Sequence, residues 1–136
     1  MPKTIRTGLE QGRAKYAYDR VDEANKQLGK DAKEYKAYVK KMPMYIKVNG
    51  LGATMTFALY KANKNQAWRL LYQDIEGWLK KDHKALIDFN DNKLVASLVK
   101  EDSSTYRAVT IEVLALLTWL KRFADGLIEG EAENTD

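Results

Sequence analysis

The chain has 136 residues, of which 45% are hydrophobic and 31% charged, and this is typical of one globular domain. It contains no cysteine, which excludes disulfides and thiolate chemistry, and it has no apolar run of membrane-spanning length. Basic side chains exceed acidic ones by 23 to 19, and we expect a cytoplasmic protein.

The charge is distributed unevenly along the chain. Residues 1–100 carry 20 basic and 11 acidic side chains, whereas residues 101–136 carry 3 basic and 8 acidic ones. Part of the acid lies in the final EGEAENTD, which has no apolar periodicity. We therefore predict a helical domain over residues 1–128 and an acidic, disordered tail over residues 129–136. The basic body favours a polyanionic partner.

Two helices are predicted in the first third of the chain. Apolar residues recur every three or four positions from Ala14 to Leu28, with Thr7 as the N-cap and Gly29 as the stop. A second helix follows with Asp31 as its predicted N-cap, and Pro43 predicts a boundary or kink within it.

Tyrosines alternate with lysines and arginines on these two helices. This pattern indicates either a surface that stacks bases and binds phosphates or a solvated face with lysine stems lying over the rings. The tyrosines are Tyr16, Tyr18, Tyr35 and Tyr38.

The stretch MPMYIKVNGLGATMTFALY, residues 42–60, has apolar residues on two helix faces, which predicts a helix buried between neighbours. Gly50 and Gly52 lie in its middle, where each costs roughly 0.5–1 kcal/mol relative to alanine. We interpret them as points where the TWLKRF helix or a neighbouring subunit approaches the backbone. Asn49 beside them is available for a polar contact, so these three residues form a candidate subunit interface.

Helical periodicity continues to the end of the domain. A polar break at 63–65 precedes a repeat from Trp68 to Leu79, and a turn at 90–92 precedes a short helix in KLVASLVKE. The last helix has Ser103 or Ser104 as its N-cap and keeps its apolar period for about six turns. No alternating run indicates a strand. We predict an all-α fold, a single compact bundle of about six helices.

Chemical motifs are scarce. His83 is the one histidine and lies in KKDHKAL, a lysine-rich setting typical of a solvated position at a helix end rather than of a catalytic base. The usual zinc ligand sets are missing and no cofactor motif is present, although a magnesium site made of carboxylates stays open. Trp68, Trp78 and Trp119 fall on or beside apolar faces, so core packing is favoured over a stacking platform.

Three segments together resemble a known family. They are GRAKYAYDRV, KVNGLGATMTFAL and YRAVTIEVLALLTWLKRFADG. In this order they are similar to the small subunit of the type III-B CRISPR effector, the Cmr RNA-targeting complex, and the resemblance covers about residues 3–128. It implies a small helical protein without catalytic activity. It also implies stacking of copies along a ribonucleoprotein filament, beside backbone and large subunits and facing the duplex of guide RNA and target RNA.

Basic residues within these segments are the candidate phosphate contacts, because a protein that follows a guide duplex binds phosphates without reading bases. They are Arg13, Lys15, Lys47, Arg107, Lys121 and Arg122. Arg107 and Arg122 alternatively pair with acids such as Glu112. Two other functions stay open: a helical adaptor that binds only proteins, and a small hydrolase built around His83.

Overall fold

The computed structural model describes residues 5–81, 86–89 and 93–131, with side chains from residue 11 onward. Within these ranges the chain forms helices and no strand, which confirms the all-α prediction. The helices are α1 Ile5–Leu28, α2 Ala32–Asn49, α3 Leu51–Ala62, α4 Gln66–Leu79, α5 Leu94–Lys100 and α6 Ser103–Leu127, with a 3₁₀ turn at Gly29–Asp31. Five are long and α5 has seven residues. His83 and the turn predicted at 90–92 lie outside the described residues.

Helix α6 packs against both α1 and α2. Arg13 of α1 meets Glu112, and further along α1 the Asn25 amide donates to the Leu127 carbonyl oxygen, so α1 and α6 run in the same direction. On α2, Lys40 pairs with Asp125 of α6. Helices α3 and α4 pack on each other and on α2, α4 also contacts α1, and their apolar faces complete the core.

The break between α2 and α3 is not where the sequence predicts it. Helix α2 continues through Pro43 and ends at Asn49, so of the boundary or kink predicted at Pro43 no boundary is present. Val39, Met42 and Ile46 are buried on either side of the proline, and this packing outweighs its local cost. The chain breaks instead at Gly50, whose φ of 88° and ψ of 160° suit glycine alone.

This break also corrects the prediction of one buried helix over residues 42–60. Because the two halves belong to different helices, an apolar stripe on α2 does not continue on α3. Leu51 and Met55 are fully buried, whereas Met44 and Val48 are 65% and 71% exposed. One apolar face of this hairpin therefore meets solvent.

The helix starts differ from the predicted caps. Helix α1 already begins at Ile5, so Thr7 is inside it, and Asp31 makes no side-chain cap. At α6 the cap is Asp102, whose carboxylate accepts a hydrogen bond from the Thr105 amide at 2.8 Å, and Ser103 is the first helical residue. Gly29, with φ of 56°, ends α1 as predicted.

The end of α6 is fastened to α2 by a buried lysine. Lys36 is 6% exposed, and its Nζ donates to the carbonyl oxygens of Ile128 and Gly130 at 3.1 Å each. The same ammonium lies 3.2 Å from the carboxylate of Glu131. Residues 128–131 therefore contact the bundle, and residues 132–136 lie outside the described part of the chain.

Candidate nucleic-acid interface

The first candidate phosphate contact, Arg13, points into the protein. Its Nε and Nη2 donate to the two carboxylate oxygens of Glu112 at 2.7 and 3.0 Å, and the side chain is 14% exposed. Trp78 Nε1 donates to the same carboxylate at 2.9 Å. Arg13 therefore stabilises a buried carboxylate between α1, α4 and α6. The partner of Glu112 is thus Arg13, and not Arg107 or Arg122, which are both exposed.

Two candidate lysines are exposed on the bundle surface. The Lys15 side chain is 84% exposed and lies 4.0 Å from Asp19, a loose surface pair. Lys121 is 52% exposed and donates to Asp125 at 3.1 Å. Asp125 also pairs with Lys40, so this carboxylate is shared between two helices. Both candidates are accessible to a phosphate, although each has an acid beside it.

Arg122 belongs to an aromatic cluster that the sequence does not predict. Its guanidinium lies 4.7 Å from the ring centre of Trp119, and that ring stacks on Phe123 at 5.8 Å. Tyr18 of α1 meets Phe123 edge to face at 5.5 Å and is 45% exposed. We call Tyr18, Trp119, Arg122 and Phe123 the α1–α6 aromatic cluster. Trp119 is only partly buried, whereas Trp68 and Trp78 lie in the core as predicted.

The other tyrosines do not form a common stacking surface. Tyr35 is fully buried and donates to the Asp74 carboxylate at 2.6 Å, and Tyr16 donates to the Asp74 carbonyl oxygen at the same distance. Tyr38 stacks on the buried Trp68 with ring centres 4.4 Å apart. The hypothesis that these tyrosines share a base-stacking face is therefore wrong, and of the four only Tyr18 is exposed.

Asp74 is a buried acid held by three helices. It is 4% exposed, and burial raises its pKa to about 7, although the Tyr35 hydrogen bond and Arg20, 3.9 Å away, oppose that rise. A raised pKa can mark a catalytic acid. Here, however, the carboxylate faces a cavity of only about 120 Å³. Its contacts link α1, α2 and α4, so we assign it to the stability of the bundle.

The three residues of the candidate subunit interface lie at the α2–α3 turn. The Tyr106 hydroxyl accepts a hydrogen bond from the Gly52 amide at 2.7 Å. A Cβ at Gly50 or Gly52 would lie 3.5 or 3.3 Å from that oxygen. A close approach to this backbone is thus present, but it comes from the start of α6 rather than from the TWLKRF helix. Asn49 is exposed beside the turn.

Lys47 is exposed on the last turn of α2, and Arg107 follows Tyr106 on α6. Lys121 and Arg122 lie at the opposite end of α6. The six candidate contacts are therefore not brought together: two lie at each end of the bundle, Lys15 is separate, and Arg13 is inside.

No metal or membrane element is found in the part of the chain that the structure describes. Within it, no three carboxylate or histidine side chains are grouped as metal ligands. No described helix is long and apolar enough to span a bilayer. A cavity of about 650 Å³ is open to solvent between α5 and α6 and is bordered by Val99, Tyr106 and Arg107.

Comparison with known proteins identifies the family. The profile of the family described as "CRISPR-associated protein (Cas_Cmr5)" matches residues 9–127. The chain belongs to the Cmr5 family. It is 30% identical over 117 residues to the CRISPR system Cmr subunit Cmr5 of Thermus thermophilus, with 85% of this chain and 92% of that protein covered.

A solved structure supports the same family. The fold matches the crystal structure of a CRISPR-associated Cmr5 family protein, also from Thermus thermophilus, with a TM-score of 0.72 and 29% identity, covering 95% of this chain and 100% of that chain. The resemblance found in the sequence is thus confirmed. Membership of the Cmr5 family implies that other Cmr subunits are partners of this chain.

Proposed function

We propose that this chain is the non-catalytic structural small subunit of a cytoplasmic type III-B Cmr ribonucleoprotein, acting in antiviral defence. The observation that carries the proposal is the Cmr5 family match over residues 9–127, which covers almost the whole helical domain. In this role, copies of the chain stack along the filament beside the backbone and large subunits. They contact the duplex of guide RNA and target RNA.

The RNA contact is assigned to exposed basic side chains on α1 and α6. These are Lys15, Arg107, Lys121 and Arg122. Long, exposed cations suit phosphate binding without base readout, because pairing with the guide supplies the sequence information. The α1–α6 aromatic cluster adds exposed ring surface beside Arg122. Arg13 is left out because Glu112 holds its guanidinium inside the bundle.

A non-catalytic role is supported by the residues that the chain offers. There is no cysteine, and the one histidine is flanked by lysine and aspartate. The buried Asp74 has a structural explanation in its contacts with Tyr35 and Arg20. We expect the purified chain to leave labelled RNA intact. RNA cleavage that persists after the protein is purified again would support a hydrolase.

A helical adaptor that binds only proteins is the second candidate. The exposed apolar residues of the α2–α3 hairpin favour it, since patches of this kind mark protein interfaces. The adaptor and the RNA-binding subunit differ in whether RNA is bound by this chain itself.

Co-purification from the native host tests the proposal. A tagged chain is expected to carry with it other Cmr subunits and RNA whose sequences derive from CRISPR arrays. Recovery of the subunits with RNA that cannot be crosslinked to this chain would favour the adaptor. Recovery of neither would refute the assignment.

A further inference from the structure

The α2–α3 hairpin carries more exposed large hydrophobic side chains than any other part of the chain that the structure describes. Seven large hydrophobic side chains are exposed among all the described residues, and four of them lie between residues 44 and 60. Met44 and Val48 on α2 are 65% and 71% exposed, and Phe57 and Tyr60 on α3 are 41% and 55% exposed. We call these four residues the α2–α3 apolar face. Exposed apolar side chains grouped in this way mark interaction sites.

A groove runs between the two helices beside this face. The rings of Tyr45 on α2 and Phe57 on α3 meet edge to face at the groove, with their centres 6.0 Å apart. A cavity of about 320 Å³ is bordered by these rings, Asn49, Ala53 and Thr54. Ala53 keeps the groove open because its side chain is small. The Thr54 hydroxyl is buried and has no hydrogen-bond partner among the described residues.

The segment that forms the groove carries basic side chains and no acidic ones. Residues 35–73 contain seven basic side chains and no aspartate or glutamate. Lys41 and Lys47 lie on α2, and Lys61 and Lys64 lie at the end of α3 and beyond it. None of these four forms an ion pair with a residue that the structure describes. Instead, Lys61 and Lys64 lie over the rings of Phe57 and Tyr60, at 5.6 and 4.5 Å from the ring centres.

Elsewhere on the surface, three exposed lysines lie beside acids, although others such as Lys30 and Lys93 form no ion pair with a described residue. Lys15 lies beside Asp19, Lys26 pairs with Asp22 at 3.0 Å, and Lys121 pairs with Asp125. The groove therefore combines two features: it is lined by apolar side chains, and the two helices that form it carry lysines without an acidic partner among the described residues. An occupant that satisfies both must be apolar on one side and acidic along its edges.

We propose that the α2–α3 groove binds an acidic amphipathic helix of another protein chain. Its apolar side packs on Met44, Val48 and Phe57, and its carboxylates pair with the lysines of the two helices. An amphipathic helix in a groove between two helices is a common mode of peptide recognition. Charge complementarity sets the orientation of such a helix and excludes basic competitors.

Two other occupants suit this face less well. The phosphate backbone of RNA would engage the lysines but would leave the most exposed residues, Met44 and Val48, without an apolar partner. A second copy of this chain could pair through the same face, but the lysines of both copies, unpaired within the described residues, would then repel each other. The other exposed large hydrophobics that the structure describes are Tyr18, Val99 and Ile111, which lie on three different helices and form no comparable patch.

This inference goes beyond the proposed function, because it assigns a face and a partner chemistry and does not require RNA binding by this chain. The test uses the full-length protein in its native host, with the photo-crosslinker p-benzoylphenylalanine in place of Val48. Ile111 is the matched control position, since it is 62% exposed and lies on α6. Irradiated cells are analysed by mass spectrometry, and the crosslinked peptide is mapped.

We expect a product at position 48 that exceeds the product at position 111 at least tenfold. The mapped peptide should belong to another protein and carry several aspartates or glutamates beside apolar residues at helical spacing. Adding Lys47→Glu and Lys61→Glu should reduce the yield at least fivefold, whereas Lys26→Glu and Lys30→Glu should not. These four lysines are surface positions, so folding, checked by circular dichroism, should not change.

Several outcomes would overturn the inference. They are a product with RNA, a product with a second copy of this chain, a mapped peptide without acidic residues, or a yield no higher than at position 111. Assembly of the complex is measured separately by co-purification of CRISPR-derived RNA. A failed crosslink with intact assembly would therefore reject the groove assignment and leave the proposed function in place.

Discussion

At the scale of single residues, the carboxylate of Glu112 shows how burial decides the role of a charge. Its side chain is 9% exposed and accepts hydrogen bonds from Arg13 and Trp78. We predict that Arg13→Ala lowers the free energy of unfolding by about 3 kcal/mol, because removing one partner leaves an uncompensated buried charge. Urea denaturation measures this change.

Lys15→Ala is the matched control for this prediction. It removes a cation two residues away that is 84% exposed, so we expect a change within about 0.5 kcal/mol. Equal stability of the Arg13 and Lys15 variants would contradict a structural role for Arg13. It would then restore Arg13 as a candidate phosphate contact.

Asp74 predicts a pH dependence of stability. Its folded pKa of about 7 exceeds the ordinary value of 3.8, so the folded state binds more protons than the unfolded state between these pH values. The contribution of Asp74 to stability is therefore full below pH 3.8 and is lost as the pH rises through 7. The free energy of unfolding of the wild type, measured relative to that of Asp74→Asn, should therefore increase by about 2 kcal/mol when the pH is lowered from about 7 to about 5.5.

Denaturation of both proteins at several pH values measures this difference, and any titration common to both cancels. Asparagine keeps an oxygen that can accept the Tyr35 hydrogen bond, so the variant removes mainly the charge. Asp19→Asn, at a side chain that is 56% exposed, should follow the wild-type profile. A constant difference between wild type and Asp74→Asn across this range would reject the assignment.

At the scale of helices, the α2–α3 turn depends on Gly50. Its φ of 88° and ψ of 160° are nearly inaccessible to other residues, and the position faces the Tyr106 hydroxyl. We predict that Gly50→Ala lowers the free energy of unfolding by about 2 kcal/mol, and that Gly50→Leu lowers the melting temperature further. Thermal and urea unfolding measure both variants.

Gly126→Ala provides the control, because Gly126 is helical and a Cβ there would meet nothing within 4 Å. That variant should be unchanged or slightly more stable. If Gly50→Ala kept its stability but failed to assemble into the complex, the turn would be a subunit interface instead.

The same turn shows which helix boundaries the sequence can predict. Gly29 is predictable because a glycine follows a clear apolar period. Pro43 is misleading, since local sterics disfavour a helix there but buried neighbours on both sides hold it together. Gly50 looks like a position inside a helix because apolar spacing continues across it, and only the backbone angles separate α2 from α3.

At the scale of the whole molecule, the all-α fold and the buried stripe of α6 follow from periodicity, since Val109, Val113 and Leu116 all face the core. Contacts between distant residues do not follow, because nothing in spacing brings Arg13 to Glu112 across 99 positions. The prediction that the α2–α3 apolar face is buried is wrong. The sequence shows that residues 35–73 contain no acidic side chain. Only the structure shows which apolar side chains in this segment are exposed.

The last prediction concerns the salt dependence of RNA binding, and it separates RNA binding from a purely protein-binding role. If this chain contacts phosphates through α1 and α6, its affinity for an RNA duplex should fall steeply with salt. Replacing the four cations assigned to the RNA contact by alanine should reduce the magnitude of the negative slope of log K against log salt by roughly 3. The cations are Lys15, Arg107, Lys121 and Arg122.

A control variant with the same net charge removes four other exposed lysines, Lys26, Lys30, Lys93 and Lys100. Fluorescence anisotropy with a labelled duplex compares the two variants and the wild type at several salt concentrations. A loss of affinity and of salt dependence in the first variant alone locates the phosphate contacts on specific helix faces, because the two variants have the same net charge. Equal losses would mean that the duplex responds only to net charge, and no measurable binding by any of the three proteins would favour the adaptor.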